Sequence, residues 1–298
     1  MKNLDFDTSI TERKYGKIFN IDLDSTSEEK VLACVRDSLA RGVKFSIVTP
    51  NPEIILEARR DKKLLALLNN ASLAIPDGIG LSQAAKFLSL AAPKNILLRM
   101  PVCFLQGICV GLATFLAKDW IEKALPVVKG RKLFMEVIKL ANKKGWRVFF
   151  FGGEHGEAQA SAERLQRSLK RIKIAHAAGP RVDNRGKSLT EIDAVIEKDC
   201  IRQINEFKPH ILFVAFNTPK QEKWLFKWLP SLDIGGGMVV GGTFRYISGQ
   251  AKLTPKWMEE YGLEWLWRLI TEPWRIKRVL IAFPVFPLKV FLYKLNTP

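Results

Sequence analysis

The stretch NASLAIPDGIGLSQAAKFL at residues 70–88 is a strand, a turn and a helix written in succession. A short apolar run, Ser72 to Ile75, is broken by Pro76-Asp77-Gly78 and followed by residues fit for a helix. That order puts Asp77 on a strand-to-helix turn with its carboxylate facing a crevice, where open α/β sheets place their ligands. Gly78 and Gly80 let backbone approach a ligand closely and leave amide N–H groups free near a helix start. Taken alone, these residues point more often to an Asp that caps the helix after it.

The same unit recurs on both sides. Upstream, a strand is expected near Lys17–Leu23, and Asp24 to Glu28 is a cap for a helix that runs to Ala40 and stops at Gly42. Val43–Val48 is a second strand, and it runs into Thr49-Pro50-Asn51-Pro52-Glu53. This turn presents Thr49 and Asn51 at the strand's C-terminal edge, and Pro52 opens a helix to Leu68. Downstream come a helix over Lys132–Lys143, a strand over Arg147–Phe151, the loop Gly152-Gly153-Glu154-His155-Gly156 and a helix to Lys170. A GGxxG loop is a weak phosphate-loop signal, and glycines needed only for a tight turn explain it equally well; His155 is a lesser nucleotide candidate there. After a strand over Ile172–Ala177 and a helix over Leu189–Phe207, His210–Phe216 (HILFVAF) is nearly all apolar, as strands buried on both faces of a parallel sheet are. It exits into Asn217-Thr218-Pro219-Lys220-Gln221-Glu222. Met238–Val240, the last strand, exits into Gly241-Gly242-Thr243. Strands and helices thus alternate, with polar or glycine-rich turns after at least four strands, which predicts an α/β fold: a doubly wound, Rossmann-like, mostly parallel sheet.

Two segments stand outside this alternation. Residues 101–117 (PVCFLQGICVGLATFLA) carry no charge and sit at the lower length limit for crossing a bilayer; two glycines and a Gln favour a buried helix or a membrane-dipping hairpin, in an insertion over about 89–125. Residues 255–298 form a helical appendage behind a core of 1–254. It mixes four tryptophans with Arg268, Arg275, Lys277, Arg278, Lys289 and Lys294 against Glu272 alone from Trp265 onward. Basic residues among aromatic ones on amphipathic helices suit an anionic membrane surface, and Pro284 and Pro287 should break or kink the last stretch. The plainer reading of Leu263–Ile270 is a helix packed on the core.

The chain has 298 residues and a net charge of +17, from 47 Lys and Arg against 30 Asp and Glu. Such an excess implies a polyanionic partner: nucleic acid, an anionic membrane or a phosphorylated substrate. Cys34, Cys103, Cys109 and Cys200 form no CxxC pair, which reads as reduced thiols in the cytosol, and the N-terminus lacks the apolar core of a signal peptide. The basic run Arg164–Lys173 raises a nucleic-acid reading, but no nucleic-acid motif accompanies it, and a solvated helix face has the same composition. His155, His176 and His210 are too scattered to form a metal set.

TPNPE at 49–53, IPDGIGL at 75–81, GGEHGEA at 152–158, KPHILFVAFNTPKQEKWL at 208–225, GGTFRYISG at 241–249 and PKWMEEYGLEWLWRLITEPWR at 255–275 together resemble the bacterial WecG/TagA/CpsF glycosyltransferases, glycosyltransferase family 26. The similarity spans roughly residues 20–280 without the insertion, and the PKQE turn with the LEWLWRL…EP…R tail is its most specific part. The resemblance implies an inverting transferase that needs no metal or other cofactor. It would move N-acetylmannosamine or a related sugar from a UDP-sugar to a sugar on undecaprenyl diphosphate, in teichoic acid or cell-surface polysaccharide synthesis. It makes Asp77 the base, with Thr49 and Asn51 beside it, and Gln221 the site glutamine. It places Arg268, Arg275 and Arg278 at the diphosphate, as guanidinium chemistry suits. Gly152, Gly153 and Gly242 are further candidate substrate contacts. It also implies a cytoplasmic protein held at the inner face of the membrane, allows self-association and gives no role to nucleic acid. The chain departs from the family pattern at Val127, where an Arg is usual and Lys129 or Arg131 could substitute. It departs again at Arg245, where the family has an acid.

Overall fold

A computed structural model describes residues 15–154 and 156–297. The lead-in before residue 15 and His155 lie outside them. The strand expected near Lys17–Leu23 is instead an antiparallel hairpin of β1 (Tyr15–Ile18) and β2 (Ile21–Asp24). Phe19 and Asn20 turn it with φ of +51° and +68°, the two-residue positive-φ turn whose twist suits a hairpin. Only Asn hints at that turn in the sequence, and Phe19 accepts the conformation because its ring is buried against Phe286 and Tyr293.

α1 (Glu28–Arg41) starts at Ser27, whose hydroxyl accepts from Lys30 N, and stops at Gly42. β3 (Phe45–Val48) follows. The helix expected to reach Leu68 is two, α2 (Pro52–Ala58) and α3 (Lys62–Asn69), because Asp61 caps a new start by accepting from Lys63 N and Leu64 N. β4 (Leu73–Ala74) and α4 (Ile79–Ser89) come next, then α5 (Ile96–Leu116), α6 (Lys118–Glu122) and α7 (Gly130–Lys144). The second half runs β5 (Arg147–Gly152), α8 (Glu157–Ser168), β6 (Lys173–Ala177), α9 (Glu191–Phe207), β7 (Ile211–Ala215), α10 (Lys220–Trp228), β8 (Gly236–Val239) and α11 (Thr243–Ile247). The tail holds α12 (Lys256–Glu260), α13 (Glu264–Thr271), α14 (Ile276–Leu280) and α15 (Phe286–Asn296).

β3 to β8 form one six-stranded sheet in the order β4-β3-β8-β7-β5-β6, with every pair parallel. Its side chains alternate between two cores. Phe149, Phe151, Leu212 and Val214 face the cluster that holds Trp224, while Val148, Phe150, Ile211 and Phe213 face the one that holds Phe134. The sheet is therefore covered on both sides, as the uninterrupted apolar run of β7 requires. All connections are made so that the C-terminal ends of β4, β3, β8 and β7 lie side by side along one edge. The turns carrying Asp77, Thr49, Gly241 and Gln221 line that edge.

The uncharged run is neither a buried helix nor a hairpin. It belongs to one continuous helix, α5, that starts at Ile96, contains Pro101 and leaves most of its large apolar side chains exposed. Gly107 and Gly111 do not break it, since the i→i−4 ladder needs only backbone, and Asn95 caps its start by accepting from Leu97 N. In the tail the expected kink is present: Phe283, with φ −155° and ψ 122°, interrupts the helical path just before Pro284. Beyond it, α15 returns to the body. Phe286 and Val290 are buried in the same cluster as Ile18 and Leu64, and Phe291 stacks on Phe87. α13, by contrast, buries no residue.

Candidate active site

Asp77 does not cap the helix it precedes. Gly78 occupies that position with φ +99°, a backbone conformation that L side chains rarely adopt, and α4 begins without a side-chain cap. The Asp77 backbone is pinned instead by N–H donation to Pro50 O (2.8 Å), which ties the β4 turn to the β3 turn. Its carboxylate Oδ1 accepts from Gly130 N (3.3 Å), the first residue of α7, so it faces across the edge to a distant helix start. Thr49 borders the same spot: a Cβ on Gly130 would stand 3.5 Å from Thr49 Oγ1 and 3.6 Å from Asp77 Oδ2. Burial pushes the Asp77 carboxyl above the usual carboxylate range, against the pull of Arg268, the Gly130 N–H and Lys129. A carboxylate so held is a better proton acceptor than one in water. Asn51 is partly spoken for. Its Oδ1 accepts from Ile54 N (3.1 Å) as the cap of α2, so what it chiefly offers a ligand is its amide NH2.

Gln221 is buried two turns further along the edge, after β7. Its Oε1 accepts from Gly241 N (3.0 Å), joining the β7 and β8 turns, and its Nε2 donates to Glu222 Oε1 (2.9 Å). Glu222 also accepts from Thr218 Oγ1 (3.1 Å), while its Oε2 is buried without a hydrogen-bond partner. Burial pushes the Glu222 carboxyl up to about 7, which outweighs the hydrogen bonds from Gln221 and Thr218. In the glycine-rich loop, Gly152 has φ +92°, and a Cβ there would come within 2.7 Å of Ala215 O. Gly153 N already donates to that carbonyl (2.8 Å). Gly152 therefore has a packing reason in the β5–β7 pair, and Gly153, with φ +82° and a Cβ that would stand 3.1 Å from Glu157 Cβ, has one against α8, both independent of any phosphate.

The tail closes over this edge through ion pairs. Arg278 places Nη2 2.6 Å from Glu53 Oε2, on the first turn of α2, and Arg275 Nε lies 2.7 Å from Glu272 Oε2. Arg275 also approaches Gly242: a Cβ on that glycine would lie 3.9 Å from Nη2. Burial, and then the charges of Arg278 and Arg268, pull the Arg275 guanidinium below its usual range, with Glu272 opposing. Arg268 lies 5.7 Å over the Tyr246 ring and has a buried Nε without a hydrogen-bond partner. Three guanidinium groups thus lie within electrostatic reach of one another, one with a buried donor that has no partner, which is chemistry suited to an anion. The basic residues near the two departures from the family pattern, Lys129 and Arg131 beside Val127 and Arg245 itself, are all ion-paired. Lys129 contacts Glu259 and Glu264 at 2.6 Å each, and Arg131 pairs with Glu259 (3.7 Å). Arg245 sits between Glu272 (3.4 Å) and Glu157 (3.9 Å).

The edge thus brings together Asp77, Thr49, Asn51, Gln221 and Gly242 with Arg275, and Arg268 acts on Asp77 through its charge. Reading the sequence missed Glu222, Glu53 and Glu272. Glu272 was within reach, because it stands four residues after Arg268 and three before Arg275, the spacing of one helical face. Nothing local marks Glu53, whose partner Arg278 lies in the tail, and although the partners of Glu222 are local, its burial comes from the rest of the fold. Among the described residues no group of three or more His, Cys, Asp or Glu side chains is arranged to hold a metal ion.

Known proteins are similar to this chain over most of its length. An N-acetylglucosaminyldiphosphoundecaprenol N-acetyl-beta-D-mannosaminyltransferase of Bacillus subtilis (strain 168) is 27% identical over 250 residues, 84% of this chain and 80% of that protein. Proteins of the same name from Bacillus spizizenii and Staphylococcus aureus (strain NCTC 8325) are each 26% identical, over 78% and 92% of this chain and 74% and 91% of their own lengths. The sequence pattern of the glycosyl transferase WecG/TagA/CpsF family matches residues 16–99 and 94–298, which between them hold every turn of the sheet edge and the whole basic tail, and this chain belongs to that glycosyltransferase family.

Proposed function

We propose that this enzyme transfers N-acetylmannosamine, or a closely related sugar, from a UDP donor to N-acetylglucosamine on undecaprenyl diphosphate. The product would be a linkage unit for teichoic acid or another cell-surface polysaccharide. The observation that carries the proposal is the meeting, at one sheet edge, of the desolvated Asp77 carboxylate and the three tail guanidinium groups. Asp77 takes the proton from an acceptor hydroxyl as that oxygen attacks the donor's anomeric carbon from the face opposite the leaving group. The C–O bond to UDP breaks, the configuration inverts, and the diphosphate leaves with the electron pair. Arg268, Arg275 and Arg278 receive the charge that develops on it, inside a site where such contacts are worth more than in water. Thr49 and the amide of Asn51 orient the acceptor beside Asp77. Gln221 and Gly242 line the donor side, and the Gly152-Gly153 loop borders it. Residues 255–298 then act as a unit that brings the arginines to the edge at the cytoplasmic face of the membrane, where a lipid-linked acceptor lies.

The test is a screen of UDP-sugars against a short-chain prenyl-diphosphate-linked N-acetylglucosamine, following UDP release and product mass. Release of UDP with an N-acetylmannosamine donor and gain of one N-acetylhexosamine is expected. No transfer with any donor, together with salt-sensitive binding to DNA or RNA that exceeds binding to anionic vesicles, would overturn the proposal in favour of a nucleic-acid-binding protein.

A further inference from the structure

α5 is a helix with all its polar chemistry on one side. Counting about 100° per residue from Arg99, the buried Arg99, Cys103, Val110 and Thr114 fall within about 60° of arc. The polar side chains are consumed there. Arg99 donates through Nε to Pro93 O (2.9 Å) and through Nη1 to Leu295 O (3.1 Å), and Gln106 donates to Ala91 O (2.7 Å) and accepts from Lys294 Nζ (2.7 Å). Thr114 donates to Val110 O (3.1 Å) and accepts from Gln83 Nε2. The opposite arc, about 100° to 260° on the same count, holds Leu97, Phe104, Leu105, Ile108, Leu112 and Phe115 without a charge, each at least 45% exposed. Leu288 and Leu292 of α15, which packs alongside α5, are exposed as well.

We propose that the outer face of α5 is a lipid-docking surface: the helix lies in the plane of an anionic bilayer, half sunk at the boundary between headgroups and acyl chains. Its borders complement such a bilayer. Lys86, Lys94, Lys118 and Lys123 flank the helix against Asp119 and Glu122, and Lys86 lies 4.0 Å over the half-exposed Trp120 ring, a cation and an indole suited to the headgroup level. A net charge of +17 opposes pairing of two copies across this face and favours anionic lipid. Crossing the bilayer would strip Arg99, Gln106 and Thr114 of the partners named above, so α5 lies flat and does not span. This extends the proposed function by naming a second surface, outside the tail's arginines, that meets the membrane carrying the acceptor. It rests on the exposed apolar arc and not on which sugar is moved.

Cys109 makes the test direct, because it is the exposed cysteine while Cys34, Cys103 and Cys200 are buried. An environment-sensitive fluorophore on Cys109 of the full chain is read with phosphatidylglycerol-containing vesicles and with pure phosphatidylcholine ones. Blue-shifted emission, quenched by nitroxide placed shallow on the acyl chains and shielded from aqueous iodide, is expected with the anionic vesicles. Leu105→Glu combined with Leu112→Glu should lower vesicle partitioning at least about tenfold, because two large apolar side chains no longer leave water. The same variant should transfer sugar to a water-soluble short-chain acceptor at the wild-type rate. A bound protein whose label stays open to iodide would overturn the inference, as would a concentration-dependent dimer that shields the label without lipid. Failure of transfer in wild type and variant alike, with the label embedded, would remove the sugar-transfer proposal and leave the docking surface standing.

Discussion

The turns at the sheet edge and the C-terminal tail supply opposite charges to one crevice, and they hold those charges in different ways. Asp77, Gln221 and Glu222 are set by backbone that the sheet positions, and desolvation raises both carboxyls. Arg275 and Arg278 are set by ion pairs to Glu272 and Glu53, and the α13 helix that carries Arg268 has no fully buried residue. The edge groups are therefore tied to backbone and hard to charge, whereas the tail arginines are charged and held by ion pairs of the kind a phosphate could replace. This difference suits the division of labour in an inverting transfer: a proton acceptor must be fixed before substrate arrives, and the groups that meet the departing diphosphate must be able to close on it.

The contrast breaks first, and most visibly, at Asp77. Asp77→Ala should lower turnover by roughly 10²–10⁴-fold with little change in UDP affinity measured by calorimetry; a mutant with normal turnover would take the base away from the edge. The next largest effect lies where the tail is itself core. Phe286→Ala should destabilise the protein by about 3–5 kcal/mol in denaturant unfolding, whereas Trp274→Ala, more than half exposed, should cost little. Equal losses would mean that the whole tail packs as α15 does. It also follows that truncation after Tyr261 removes core as well as cations, so point variants report on the tail more cleanly.

Glu222 tests the desolvation of the edge through pH. Its folded value of about 7 stands above the ordinary 4.5. Between these values the folded protein holds a proton that the unfolded chain has lost, so stability falls as pH rises through that window and levels off above about 7. The loss should be on the order of 3 kcal/mol by thermal or urea unfolding, and Glu222→Gln should flatten it. A wild-type profile already flat from pH 5 to 8 would show that the Glu222 carboxyl is hydrated. The smallest effect is expected in the tail: Arg275→Lys keeps the charge and loses the planar fork, and should lower kcat on the order of tenfold with KM for the UDP donor less affected. A rise in KM alone would show that Arg275 only holds the donor and does not meet the charge of the departing diphosphate.

The strand-turn-helix order and the parallel sheet were legible because they follow from local chemistry, whereas the candidate groups were named from the resemblance. Pro76-Asp77-Gly78 cannot continue a strand, and the run at 210–216 cannot face water. Where two structures share one local pattern, the sequence left the choice open. A hairpin or one strand at 17–23 depended on whether Phe19 found a pocket for its ring. A hairpin, buried helix or exposed helix at 101–117 depended on which neighbours took Arg99, Gln106 and Thr114. Whether Asp77 capped its own helix or faced Gly130 was settled by the φ of +99° at Gly78 and by α7, some fifty residues away. Hydrophobicity and turn chemistry act over a few residues and are written in the chain. Burial, ion-pair partners and the proton affinity of Asp77 and Glu222 depend on groups that only folding brings together, and these the tertiary structure alone decided.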